Sequence, residues 1–305
     1  MPVAAAKSAL TSHIDGLRQS ALWLDGCSGL IIAVSGGPDS LALTLMAAEI
    51  CAEQKMRFEA VVVDHGLRAE AAAEAGHVVK TLTNWGIRGR CLRVSDSAPS
   101  AGKSAWARQH RLELLCDYAR QTASAVLFAH HYDDQAETVA MRLARGSTVR
   151  GLSAIAAVRI YQGVLFARPF LGLRKADLVA ICMAYKAVYI TDPSNTDQAF
   201  ERVRIRTWLQ QPQQSDLRQQ LVQLASLSSR LSAPLLEACD KWCAEHIIFT
   251  FRLRAHINLE AFLLLDKVAR NFILRHCFTV IGGQPYPVSD DRLDQVQTRL
   301  APGVK

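Results

Sequence analysis

Residues 30–40 read LIIAVSGGPDS, and the fold follows from the change of character within that stretch. Leu30-Ile31-Ile32-Ala33-Val34 is apolar and rich in β-branched residues. Ser35-Gly36-Gly37-Pro38-Asp39-Ser40 interrupts it, and residues 41–50 (LALTLMAAEI) are apolar helix formers. Strand, glycine loop and helix in that order turn backbone N–H groups and a helix N-terminus towards a phosphate or pyrophosphate. Gly36 and Gly37 let the backbone approach such a ligand with no Cβ in the way. Pro38 suits the first turn of the helix, where its missing N–H costs nothing. Asp39 is the odd charge, because a carboxylate beside phosphates makes sense with a cation between them.

The same alternation continues outward. Strands are expected at 30–34, 58–63, 90–94, 125–129 and 163–168. Helices are expected at 11–25, 41–53, 69–85, 104–121, 174–186 and 200–210. This predicts an α/β fold: a doubly wound, mostly parallel five-stranded sheet. The glutamine-rich 210–214 (QQPQQ) divides it from a second, mainly helical domain. The domains expected are thus 1–211 and 212–305, with a short hairpin in 249–259 and helices over 216–245, 261–281 and 290–300.

At 305 residues, half of them hydrophobic, the chain has ample material for two cores. A formal charge of +7 permits a nucleic-acid partner without requiring one. No apolar run reaches the length of a membrane span, and the N-terminus has no uninterrupted signal-peptide core, so a cytoplasmic location and no membrane partner are expected. The eight cysteines are scattered, with no C-x-x-C pair, and read as reduced and mostly buried.

Polar residues collect where strands should end, which in open α/β sheets is where ligands bind. Asp64, His65 and Arg68 follow the second strand. Arg108 and Arg111, three apart, share a helix face. His130, His131, Asp133, Asp134 and Glu137 gather at the junction of the fourth strand with the next helix. One or two acids there would merely complement the helix dipole, but two histidines and three acids point to a site. Arg145 and Gly146 lie in a basic exit from that helix, able to clamp a polyanion or cap the helix. Arg202 and Arg206 share a face that, taken alone, reads as solvated.

There is no Walker-type phosphate loop, and G-x-G-x-x-G is absent near the first strand. S-G-G-P-D-S resembles instead the loop of the ATP pyrophosphatases, the PP-loop superfamily. The motifs V-D-H-G-L-R (63–68), A-R-x-x-R (107–111), A-H-H-x-D-D-Q-A-E-T (129–138), R-G-S (145–147), D-P-S-N (192–195) and R-x-R-I-R (202–206) follow in order. Together they are similar to the tRNA(Ile)-lysidine synthetase family over residues 28–210. Leu112, Thr148 and Val203 depart from it, standing where tyrosine, glycine and asparagine are usual. Many members carry a further C-terminal domain, which this sequence is expected to lack.

The resemblance implies an adenine nucleotide alpha hydrolase-like fold, with 1–211 catalytic and 212–305 recognising tRNA. It implies ATP and Mg2+ as cofactors, free L-lysine and a tRNA(Ile) with CAU anticodon as partners, and allows a homodimer. ATP would adenylate the wobble cytidine, and lysine would then displace AMP to form lysidine. Ser35, Gly36, Gly37, Pro38, Asp39 and Ser40 would bind ATP, with Asp39 on the metal. His131, Asp133, Asp134 and Glu137 would be catalytic. Asp64, His65, Arg68, Arg108, Arg111, Arg145, Gly146, Arg202 and Arg206 would contact tRNA or phosphate. Two rival readings are a PP-loop tRNA thiolase, which wants cluster-holding or catalytic cysteines, and a non-catalytic nucleotide sensor.

Overall fold

The computed structural model describes residues 2–19, 26–67, 70–190, 196–250, 254–282 and 288–300. Arg68 and the 192–195 motif lie outside the described residues, as does the 20–25 part of the expected first helix. The chain opens with α1 (Pro2–Arg18), whose Ala6, Leu10, Ile14 and Leu17 recur every three or four residues and are all buried. Then come β1 (Gly29–Val34), α2 (Pro38–Glu53), β2 (Arg57–Asp64), α3 (Ala71–Asn84), β3 (Gly89–Arg93), α4 (Lys103–Gln121) and β4 (Ser124–Leu127). They are followed by α5 (Tyr132–Ala144), the single turn α6 (Val149–Leu152), β5 (Val158–Tyr161), β6 (Val164–Ala167), α7 (Lys175–Ala184) and α8 (Glu201–Leu209).

The sheet order is β3-β2-β1-β4-β6-β5, parallel except for β5. Side chains alternate across β1. Leu30, Ile32 and Val34 face a core built with α1, α2, α3 and α7, whereas Ile31 faces a second core with Leu115, Cys116 and Ala119 of α4. Helices thus cover both faces, which is why β1 and β4 read as nearly unbroken apolar runs. The order reverses at β1: the chain leaves it towards β2 and later returns on its other side as β4. The crevice above that switch point is where such folds bind ligands.

The sheet has six strands where five were expected. The extra one is β5, an edge strand paired antiparallel with β6 through a two-residue turn at Gln162 and Gly163. Both turn residues have positive φ, 48° and 77°, the backbone of a tight hairpin. Gln162 gives little sign of such a turn, and β5 is largely exposed. Its alternation therefore merges with the apolar run of β6.

The chain divides into two compact units, Met1–Ser226 and Leu227–Lys305. The long helix α9 (Ser215–His246) begins in the first, where Leu221 and Ala225 pack with Ala136 and Val139 of α5 and Leu209 of α8. The second unit holds the rest of α9, the hairpin β7 (Ile247–Thr250) and β8 (Arg254–Ile257), and helices α10 (Leu259–Leu263), α11 (Lys267–Gly282) and α12 (Asp290–Leu300). Its core includes Cys239, Cys243, Phe262, Ile273, Cys277 and Leu293. The single helix expected over 261–281 is two, because Asp266 Oδ1 accepts the Ala269 N–H (2.8 Å) and starts a new helix there. All eight cysteines are free, and only Cys91 is exposed. No described helix is long and apolar enough to cross a membrane.

Ile32 is fully buried at the centre of the sheet, and Ile160 on β5 is 61% exposed. Ile32→Ala is expected to lower unfolding stability by about 2–5 kcal/mol. Ile160→Ala should change it by roughly 0.5 kcal/mol or less. Denaturant midpoints of the two variants check the layering.

Candidate functional site

The loop after β1 is shaped by its own side chains. Ser40 Oγ accepts the Ser35 N–H (3.1 Å) and donates to the Gly37 carbonyl (3.0 Å), and the Ser35 and Ser40 hydroxyls lie 3.2 Å apart. The Ser40 hydroxyl therefore builds the loop and lies buried beneath it. Gly36 has φ +83°, and a Cβ there would meet Val78 Cγ2 at 2.7 Å. Only glycine fits both the backbone and the space. The Gly36 carbonyl accepts the Ile190 N–H (3.0 Å). Pro38 opens α2, and its carbonyl accepts from Cys182 Sγ (3.2 Å).

Beside the loop, a cavity of about 560 Å3 opens along the C-terminal ends of β1 and β2. Ser35, Gly37, Asp64, His65 and Arg111 line it, with Ile190 and Phe200 among its apolar walls. Asp64 is buried; its Oδ1 accepts the Gly66 N–H (2.9 Å) and its Oδ2 lies 3.4 Å from Arg93 Nε. Burial of the Arg111 guanidinium, with Arg108 adding repulsion, pushes it down to about 10. Burial likewise lowers His65, whose Nδ1 has no protein partner. Burial also lowers Arg142 and Arg168, with repulsion from Arg108 adding to it, so these guanidiniums form one positive field.

The second half of the site comes from the β4–α5 junction. His131 caps α5, and its N–H donates to Asp134 Oδ2 (3.0 Å). Its ring is the meeting point: Nδ1 lies 3.5 Å from Asp133 Oδ2, and Nε2 lies 3.5 Å from Asp134 Oδ2 and 3.8 Å from Asp39 Oδ2. Asp39 is thus joined to the acids of α5 through one imidazole. Asp39 Oδ2 also accepts from Lys175 Nζ (2.6 Å), whose backbone N–H donates to Asp133 Oδ2 (2.8 Å). Asp39 Oδ1 is buried with no protein partner.

Charge explains the titration of these groups. Burial works against protonating His131, but the Asp133 carboxylate 3.5 Å from its Nδ1 and the charges of Asp134 and Asp39 outweigh it and raise its pKa. Burial also opposes ionising Asp133, yet His131 and the Lys175 N–H hold it down at about 2. Asp134 is lowered against its burial by His131, Arg202 and His130. His130 goes the other way: burial, opposed by Asp134 and aided by Arg168, Arg111 and Arg202, takes it to about 3.

Arg202 and Arg206 do not form a solvated face. Arg202 donates to Glu137 Oε2 and Asp134 Oδ1, both at 2.7 Å, and Arg206 donates to Glu137 Oε1 (2.6 Å). Glu137 is 2% exposed and wholly taken up by these guanidiniums, whereas the Asp133 side chain keeps 27% of its surface. Arg145 pairs with Glu201, at the start of α8, and Gly146 follows with φ +63°. Of the residues departing from the family pattern, Thr148 caps α6, Val203 is buried, and Leu112 is half-buried against the second core. Lys175 is the site residue that sequence reasoning missed. It sits at the start of a correctly expected helix, and no motif links it to Asp39, which is 136 residues away.

A PP-loop domain family matches residues 9–212. A tRNA(Ile)-lysidine synthase of Methylobacterium nodulans is 38% identical over 290 residues, 92% of this chain and 85% of that relative. The chain belongs to the tRNA(Ile)-lysidine synthase family. With the PP-loop domain of this family goes ATP binding. A member from Rhodopseudomonas palustris is 44% identical over 255 residues, covering 81% of this chain and 73% of the relative. One from Bradyrhizobium diazoefficiens is 46% identical over 191 residues, 62% of this chain; that match spans about half of the relative's length (53%). Among solved structures, the U34-tRNA thiolase NcsA of Methanococcus maripaludis aligns with a TM-score of 0.55 at 15% identity. It covers 73% of this chain and 80% of that one, and what is shared is the fold.

Two outcomes test this geometry. Gly36→Ala is expected to cost at least about 1 kcal/mol from its backbone alone, read as a lowered denaturant midpoint. Asp133 ionised stabilises the fold in full above its ordinary value of about 3.9, and that support is lost as pH falls through about 2. Protonated His131 stabilises it below its ordinary value of about 6.5, and that support is lost as pH rises through the raised folded value. In Asp133→Asn, an NMR titration of His131 should therefore show a lower pKa than in the parent. An unchanged value contradicts the pairing.

Proposed function

We propose that this chain joins free L-lysine to C2 of the wobble cytidine of a tRNA(Ile) with CAU anticodon, using ATP. The observation that carries this is the His131 imidazole, within 4 Å of both Asp39 of the glycine loop and Asp133 of α5. Activation by nucleotide and attack by amine can then share one centre. In the first step the C2 oxygen of cytidine attacks the α-phosphorus, the bond to the β-phosphate breaks, and pyrophosphate leaves. In the second, the lysine ε-amine attacks C2, the C2–oxygen bond breaks, and AMP leaves with that oxygen.

The backbone of residues 35–40 cradles the phosphates at the N-terminus of α2. Asp39 fits a cation: its Oδ1 is buried and unpartnered. That suits Mg2+, which one or two carboxylates can hold; bound at Asp39 it would neutralise charge on the departing pyrophosphate. Asp133, ionised and accessible, receives the lysine ammonium. His131, whose pKa is raised, supports the charge developing on the phosphate as a donor and is less suited to act as the base. Asp134 and Glu137 act at one remove by holding Arg202 and Arg206.

The field around Arg108 and Arg111 supports polyanion binding, with His65 and Asp64 lining the adjacent nucleotide cavity. Residues 1–211 form the catalytic domain in this reading, and 212–305 contribute to tRNA recognition. A homodimer is compatible with it.

The test is pyrophosphate release from ATP in the presence of a CAU-anticodon transcript, followed by incorporation of labelled lysine, with a methionine tRNA as control. Both products are expected with the isoleucine transcript alone. ATP binding without turnover points to a nucleotide sensor and overturns the proposal. Asp39→Ala should lower adenylation by about 100-fold or more. Asp133→Ala should lower lysine incorporation more than pyrophosphate release. Equal effects on the two would remove Asp133 from the second step.

A further inference from the structure

Lys175 stands on no phosphate motif, yet its ammonium lies 2.6 Å from Asp39 Oδ2, at the first turn of the helix that follows the glycine loop. Its backbone is fixed independently of its side chain. The Lys175 N–H donates to Asp133 Oδ2 (2.8 Å), and the Tyr132 N–H donates to the Leu173 carbonyl (2.7 Å), which ties the approach to α7 to the start of α5. The anchor is rigid and the four-carbon stem is not. The side chain is 42% exposed, and an ion pair this open adds little to stability, so structure alone gives it small purpose. Asp39 has its two oxygens in different situations: Oδ2 faces Lys175 and His131, while Oδ1 is buried and without a protein partner.

We propose that Lys175 is a phosphate-binding residue of the ATP site, its ammonium reaching from Asp39 Oδ2 onto the terminal phosphates and staying with the pyrophosphate after cleavage. This rests on reading residues 35–40 as the pyrophosphate loop. An ammonium has three donors, so one can remain on Asp39 while the others bond phosphate oxygens. Oδ1 stays free for the cation. A triphosphate arriving at one carboxylate needs positive charge from both, and the ammonium and the metal do not compete for the same oxygen.

Binding is measured by calorimetry on the full chain with Mg-ATP and, separately, with inorganic pyrophosphate and Mg2+. Parent, Lys175→Met and Lys175→Arg proteins are compared, with melting temperatures alongside. Lys175→Met keeps the backbone N–H on Asp133 and is expected to weaken both ligands about tenfold or more, the loss of a charge-assisted bond, at a nearly unchanged melting temperature. Lys175→Arg should recover part of the affinity. Unchanged binding in Lys175→Met overturns the proposal, and so does tighter binding, since the ammonium would then be a competitor of the metal for Asp39. If the parent binds neither ligand, the loop reading itself fails.

Discussion

Glu137 is almost completely buried and accepts hydrogen bonds from both Arg202 and Arg206, and Asp134 beside it shares Arg202. Removing the partner of a buried charge costs roughly 3–5 kcal/mol, so α5 and α8 are bound to each other by need. That contact holds the start of α5, and the start of α5 holds His131. Through His131 it reaches Asp39 and the glycine loop. Asp134 and Glu137 are thus taken up by guanidiniums, whereas the side chains of Asp133 and Asp39 keep about a quarter of their surface, 27% and 26%.

Sheet topology makes this possible. β1 and β4 are neighbours and parallel, so the loops that follow them emerge at the same edge. The first supplies backbone N–H groups and Asp39, and the second supplies His131 and the acids. α3 packs so close to Gly36 that Val78 leaves no room for a Cβ there. Glycine in this loop is thus required by core packing as well as by backbone conformation.

Much of this was legible in the chain. Period-two and period-3.6 patterns located the parallel strands and their helices, because an α/β sheet buried on both faces leaves its strands conspicuously apolar. The motifs at the strand ends pointed to the residues that the structure gathers at the edge shared by β1 and β4. What escaped notice shares one cause. β5 is an exposed edge whose turn has a glutamine at its first position, the break before α11 depends on one capping aspartate, and Lys175 lies against Asp39 across 136 residues. Each turns on a local hydrogen bond or a distant partner, and neither alters periodicity.

The sequence by itself determined the class of fold, the position of the glycine loop and the family resemblance, since these rest on local propensity and on residues adjacent in the chain. Only the tertiary structure decided which charges are structural and which are available. Arg202 and Arg206 looked solvated until Glu137 and Asp134 were found facing them, and Asp39 looked isolated until His131 and Lys175 closed on it. Pairing of charges depends on distance and burial, and those are set by how the helices cross the sheet.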